Sequence, residues 1–195
     1  MLLVMATEPD DKTLMIRYRK GDETAFELLY SRHRGPLYRY FLRHGVDRET
    51  AAELFQEVWA KVIQARKRYE PTAKFTTFMY TLAHNVRVDH HRRAGRRPDL
   101  AAVSNDPELI TAPTRGNPDS VVEVSATMRR FRAALDQLPS DQRDAFLLRE
   151  EGGLSLADIA GATGVSAETA KSRLRYAVRK LRDALGAENG GDSHD

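Results

Sequence analysis

Four of the chain's eight prolines, Pro98, Pro107, Pro113 and Pro118, fall within one short stretch. Proline lacks a backbone donor and pushes the residue before it out of helical geometry, so a regular element cannot run through this segment. With Gly116, Asn105 and Asn117 added, the stretch reads as an extended, mobile connection between two separately folded halves. The expected boundaries are a first domain at 11–97, a linker at 98–123 and a second domain at 124–187.

Nothing in either half reads as a sheet, and the expected class is all-α. Ahead of the linker a short helix from Asp11 to Lys20 ends at Gly21. Asp22 is placed to cap a long helix to about Arg43, which Gly45 stops and Gly35-Pro36 could kink. Asp47 is the next candidate cap. Behind it Ala51, Leu54, Phe55, Val58, Trp59, Val62 and Ile63 step by three and four, an apolar helical stripe. A turn at Tyr69-Glu70-Pro71 precedes a fourth helix, about Lys74 to Arg93, with Phe75, Phe78, Met79, Leu82 and Val86 facing inward.

Beyond the linker, a helix from about Val121 to Gln137 breaks at Leu138-Pro139. Ser140 is expected to cap the next helix, which Gly152-Gly153 ends. The segment after it is the most specific in the chain. Ser155 and Asp158 have capping-box spacing, Gly164 sits where a tight turn wants positive φ, and Ser166 caps a last helix. Ala170, Leu174, Val178, Leu181 and Leu185 form one face of that helix. This is the pattern of a helix-turn-helix, with Ser166 to Leu185 as recognition helix.

Charge points the same way. The net charge of +3 hides two basic blocks. Residues 14–97 hold 18 Lys and Arg against 9 Asp and Glu, and residues 124–186 hold 11 against 8. The intervening stretch is acidic, with Arg115 alone against Asp99, Asp106, Glu108, Asp119 and Glu123. Two basic blocks suggest two surfaces facing a polyanion. Cysteine is absent, which excludes disulfides and thiolate metal sites and fits a reducing cytoplasm. No apolar run approaches the ~20 residues of a membrane-spanning helix.

A recognition helix presents its N-terminal residues to the major groove. Lys171, Ser172 and Arg175 are best placed for bases or adjacent phosphates, with Arg179 more suited to phosphate attraction. Arg149, Ser166, Glu168, Thr169 and Arg173 complete the candidate duplex-binding set. A solvated basic face on an ordinary amphipathic helix is the competing reading. In the first half, basic and aromatic residues interleave from Arg66 to Phe75, and the fourth helix ends in a dense basic run. Such surfaces suit single-stranded nucleic acid, whose exposed bases stack on aromatic rings. The candidates are Tyr69, Lys74, Asn85, Arg87, His91, Arg92, Arg93, Arg96 and Arg97. Tyr69 and Phe75 filling the end of the bundle is the equal alternative. Glu53, Gln56, Glu57 and Lys61 share one side of the third helix and could bind a partner helix. Metal is disfavoured, because the fourth helix offers only Asp89 as a matching acid. No cofactor, catalytic motif or small-molecule substrate is expected.

Two ordered motif sets then identify a resemblance. Asp22, Phe26-Glu-Leu-Leu-Tyr30, Glu53-Leu-Phe-Gln-Glu-Val-Trp59, Phe75 through Asp89 and Arg92-Arg93 resemble sigma region 2. Leu138-Pro139, Leu148-Arg149-Glu150, Leu154-Ser155 and the run to Leu174 resemble sigma region 4. A chain with only these two regions is similar to extracytoplasmic-function (ECF) sigma factors of bacterial RNA polymerase. The resemblance implies that Glu53, Gln56, Glu57 and Lys61 dock on core polymerase. It further implies that Tyr69 and Asn85 hold a flipped base of the −10 element, and that the last helix reads the −35 duplex. Core RNA polymerase and promoter DNA are the implied partners, an anti-sigma factor is a further candidate, and the implied location is cytoplasmic. A stand-alone regulator whose first bundle binds a ligand or dimerises is the competing function, and a metal-dependent hydrolase fused to a DNA-binding domain a third. Phe78, Thr81, His84, Glu168 and Ala170 depart from the family's usual residues, which puts the preferred promoter sequence in question.

Overall fold

A computed structural model describes residues 9–95 and 118–186, with side-chain positions from residue 126 in the second stretch. The described residues form eight α-helices and no strands: α1 Asp11–Arg19, α2 Glu23–Arg43, α3 Arg48–Ala65, α4 Phe75–Ala94, α5 Pro118–Asp136, α6 Ser140–Glu150, α7 Leu156–Thr163 and α8 Ala167–Gly186. A single 3-10 turn, Arg66–Arg68, follows α3. The conformation expected for the linker at 98–117, and the candidate contacts Arg96 and Arg97, lie outside the described residues.

Local chemistry starts most of these helices. The side chains of Asp10, Asp22 and Asp47 accept from the backbone N–H groups of Thr13, Ala25 and Thr50, each three residues on. Each such cap satisfies a donor that the first helical turn leaves orphaned. α2 runs through Pro36 without interruption. Two expectations need correction. Ser140 is the first residue of α6 rather than its cap; Pro139 holds the capping position in extended geometry (φ −52°, ψ 141°), with no side-chain bond. The helix expected from about Val121 starts three residues earlier, because α5 begins at Pro118. Proline is well suited to a first helical turn, where its missing donor has no partner to lose.

The N-terminal module packs α1 to α4 around fully buried Leu14, Met15, Leu29, Leu37, Phe41, Phe75 and Met79. Each such side chain contributes roughly 1.5–3 kcal/mol through its removal from water. A second layer of rings, Tyr18, Phe26, Tyr30, Phe55 and Trp59, closes the α2–α3 side, with Tyr30 and Trp59 centroids 5.0 Å apart. The apolar stripe of α3 is narrower than its spacing suggests, because Ile63 is 46% exposed. The C-terminal module packs α5, α6 and α7 against α8 around Leu135, Leu138, Leu147, Leu148, Leu154, Ile159, Ala170, Ala177 and Leu181.

The two modules are docked on each other. α5 and α6 meet α2, and α7 meets α4. At the centre of the contact Gly152 lies so close to its neighbours that an added Cβ would stand 2.7 Å from the Leu148 carbonyl oxygen and 3.0 Å from Tyr80 Cδ2. Only glycine fits there.

Candidate nucleic-acid interface

The turn into α8 explains how the recognition helix is presented. Ser155 and Asp158 form the reciprocal capping box that starts α7. Gly164 takes left-handed geometry (φ 67°, ψ 30°), which reverses the chain within a few residues at no steric cost. Ser166 Oγ then accepts from the Thr169 N–H at 3.1 Å. Buried Ala170, Ala177 and Leu181 seat α8 on its own module. Its opposite face stays in solvent, where Glu168, Lys171, Arg175 and Arg179 are exposed.

Several of these groups are ordered by neighbours. Arg175 and Arg179 both lie over the ring of Tyr176, with guanidinium carbons 5.1 and 5.2 Å from its centroid. That contact pre-positions two cations along one edge of the helix. Lys171 Nζ is 3.9 Å from Glu168 Oε2, a loose exposed pair that bound phosphate could compete for. Ser172 donates to the Thr169 carbonyl. Arg173 is a strut, bonded to Asp141 of α6 at 2.5 Å. Arg149 is exposed, and its Nη1 donates to the Leu154 carbonyl at 2.8 Å, bracing the turn between α6 and α7.

The candidate single-strand contacts divide. Lys74, Asn85, His91, Arg92 and Arg93 are exposed along α4 and the loop before it. Arg92 pairs with Asp89 at 2.9 Å. Lys74 also lines an open cleft of about 540 Å³, bounded by Asp10 to Lys12 and Pro71 to Thr76. Tyr69, for which base contact and filling of the bundle's end are equal readings of the sequence, is only 5% exposed. Its ring packs on Phe78 at 5.5 Å, and burial pushes its hydroxyl pKa upward. Tyr69 and Phe75 therefore fill the end of the bundle, and stacking of Tyr69 on a base would require the ring to leave it. Arg87, a candidate single-strand contact, is also largely buried. Its Nη2 lies 3.1 Å from Asp144 Oδ2 of α6.

On α3, Glu53 and Gln56 are exposed, and Glu57 pairs with Lys61 one turn later at 3.3 Å. Among the described residues no group of three or more His, Asp or Glu stands where it could hold a metal ion. No described helix is long and apolar enough to cross a membrane.

Residues that local sequence signals did not single out hold the modules together. Tyr40 donates its hydroxyl to Asp144 Oδ1 at 2.7 Å, and His44 Nε2 lies 3.2 Å from the same oxygen. His84 Nδ1 reaches Oδ2 at 2.5 Å. Burial pushes the Asp144 carboxyl up, but the close approach of His44, the hydrogen bond from His84 and the Arg87 charge outweigh it and hold the group well below its ordinary range. Burial also lowers the His44 pKa to about 4, against the pull of Asp144. A second carboxylate, Glu151, receives Arg39 at 3.2 Å and Arg43, while its carbonyl accepts the Tyr80 hydroxyl at 2.8 Å.

Comparison with known proteins places this architecture. The family model described as Sigma-70 region 2 matches residues 29–97, and that of Sigma-70, region 4, matches residues 128–181. The RNA polymerase sigma-H factor of Pseudomonas aeruginosa is 30% identical over 191 residues, covering 93% of this chain and 96% of the relative. The chain belongs to the ECF sigma factors. The RNA polymerase sigma factor CarQ of Myxococcus xanthus is 32% identical, covering 88% of this chain and 95% of its own. The ECF RNA polymerase sigma-E factor of Escherichia coli K12 is 29% identical, covering 87% and 91%. The fold resembles that of the sigma factor RpoE solved with the anti-sigma factor NepR from Bartonella quintana. That match has a TM-score of 0.67 and 22% identity, and covers 84% of this chain and 98% of the other. CnrH, solved with the cytosolic domain of CnrY, matches with a TM-score of 0.61 and 20% identity, covering 91% and 98%.

Proposed function

We propose that this alternative sigma factor, which directs RNA polymerase to promoters, divides promoter reading between its modules. The exposed face of α8 takes the −35 duplex, with Lys171, Ser172 and Arg175 toward the bases and Arg179 on phosphate. The exposed end of α4 and the loop before it, through Lys74, Asn85, His91, Arg92 and Arg93, take the opened −10 strand. Asn85 offers both a donor and an acceptor to a flipped base edge. Capturing that base offsets the few kcal/mol that unstacking costs, so strand opening asks no catalysis of this chain. Glu53, Gln56, Glu57 and Lys61 form the surface for core polymerase.

Sigma factors are transcription initiation factors rather than enzymes; the absence of catalytic activity, metal, cofactor and small-molecule substrate in this chain is part of the proposal, as is a cytoplasmic location. A small anti-sigma protein, of the kind bound to the solved relative RpoE, is a proposed regulator. The observation that carries the reading is α8: its apolar side is buried, Lys171, Arg175 and Arg179 on its other side are exposed, and a left-handed glycine turn sets it up.

Run-off transcription with core polymerase tests it. Arg175→Ala should weaken initiation from a duplex promoter roughly tenfold, the loss of one good base contact. It should affect a template whose −10 region is already melted much less. Equal loss on both templates would remove α8 from −35 reading. A chain that ignores core polymerase, yet binds a duplex operator tightly alone, would be a stand-alone regulator instead.

A further inference from the structure

The cations of α8 are held in two different ways. Carboxylates take the first two: Lys171 stands 3.9 Å from Glu168, and Arg173 pairs with Asp141 of α6 at 2.5 Å. No carboxylate among the described residues pairs with Arg175 or Arg179. Both guanidinium groups lie over the ring of Tyr176, with their carbons 5.1 and 5.2 Å from its centroid. Ala170, Ala177 and Leu181 seat α8 on its module, while Tyr176 remains 38% exposed. The ring is therefore not what anchors the helix.

The two restraints leave different chemistry behind. A carboxylate occupies the N–H fork of a guanidinium and offsets its charge, and it has to leave before a base or phosphate can take its place. A ring meets the guanidinium on its flat face, so the donors around the edge stay free and the charge stays intact. Contact with the ring also removes part of the side chain's rotamer freedom before DNA arrives. Less ordering then remains to be done on binding.

We propose that Tyr176 is a positioning residue for −35 reading, whose ring holds Arg175 ready for a guanine in the major groove and Arg179 ready for a flanking phosphate. This deepens the reading of α8 given above and rests on it. Guanine follows from the chemistry, because its O6 and N7 accept the two parallel N–H bonds of an arginine fork. The effect of the ring on sequence preference is confined to that base pair, since a phosphate contact carries no sequence information. Tyr176 itself need touch neither base nor phosphate.

The test uses the full chain with core polymerase on a promoter mapped from transcript starts, each −35 base pair being changed in turn. The readout is the ratio of initiation with the preferred base to initiation with the other three. Damage to the fold lowers initiation on every template alike and leaves this ratio unchanged. Arg175→Ala should lower the ratio about tenfold at one guanine and leave the other positions as they are. Tyr176→Leu should lower it about threefold at the same guanine, the weight of one exposed contact between a cation and a ring. Tyr176→Phe and Tyr176→Trp, which keep a ring, should retain the wild-type ratio. The salt dependence of initiation should be the same in Tyr176→Leu, which removes no charge. Full discrimination by Tyr176→Leu at the guanine that Arg175→Ala no longer reads would overturn the positioning role and spare the reading of α8. Equal losses in Tyr176→Phe and Tyr176→Leu would also overturn it, by placing the effect in the hydroxyl. An Arg175→Ala chain with no altered position would overturn both.

Discussion

His44 gives the docked contact a pH dependence that follows from its burial beneath α6. In the docked form its pKa is about 4, against roughly 6.5 for an imidazole in water. Asp144, Arg87, Arg143 and Tyr40 around it hold their charge states across that window. Asp144 stays ionised, because its own carboxyl is held well below the usual range. Arg87 and Arg143 stay cationic, and Tyr40 stays neutral with its pKa pushed upward by burial and by Asp144. His84 faces the same carboxylate at 2.5 Å. Since the His44 pKa is lowered on docking, the undocked form binds the extra proton. Docking is therefore at full strength above pH ~6.5 and weakens as pH falls toward 4. At pH 5 the loss is about 2 kcal/mol, or roughly thirtyfold in the docking equilibrium. Energy transfer between dyes on the two modules, followed from pH 7.5 to pH 5 at fixed ionic strength, measures it. His44→Gln should flatten the curve. A docking equilibrium that ignores pH over this range, or an undiminished slope in His44→Gln, would refute the assignment.

Two glycines one residue apart should respond differently. Gly152→Ala forces a methyl group to 2.7 Å from the backbone oxygen of Leu148 and should cost about 3 kcal/mol, the upper range for overpacking. Gly153→Ala meets nothing within 4 Å but keeps φ at 62°, so only the left-handed backbone penalty of about 1 kcal/mol applies; urea unfolding ranks the two. Ser155→Ala removes the Oγ that accepts from the Asp158 N–H, leaving only the reciprocal backbone half of the α7 capping box, and should destabilise the C-terminal module by about 1 kcal/mol, read as a fall in Tm.

What the sequence makes legible here is what is decided within three or four residues. The caps at Asp22, Asp47 and Ser155 and the turn at Gly164 all act on backbone groups one turn away, so residue type and spacing suffice. Ser140 misleads for the same reason: it carries the right side chain, but the preceding proline already supplies the extended residue before α6. Asp144 could not be assigned locally, because its partners sit 57 to 104 positions earlier. A signal was present nonetheless. Asp144 lies on the same side of α6 as Leu147 and Leu148, three and four residues on and both fully buried. A carboxylate on an apolar stripe announces a buried partner, though not its identity. Tyr69 shows the converse, since an aromatic residue in a basic loop fits base stacking and core filling equally until its burial is known.

The same accounting changes the meaning of the basic first block. Its excess of cations suggests a surface waiting for a polyanion, yet Arg39, Arg43 and Arg87 already hold carboxylates of the other module. If Arg87 contacts the −10 strand, DNA and the chain's own Asp144 are alternative anions for it, and strand binding there would compete with docking. Salt sharpens the distinction. Phosphate contacts release counterions and weaken steeply as salt rises, whereas a pair screened from water, such as Asp144 with Arg87, responds little. Raising ionic strength should therefore favour the docked form over DNA. A chain whose modules separate with added salt, in the absence of DNA, would show instead that exposed charge, and not the buried cluster, holds them together.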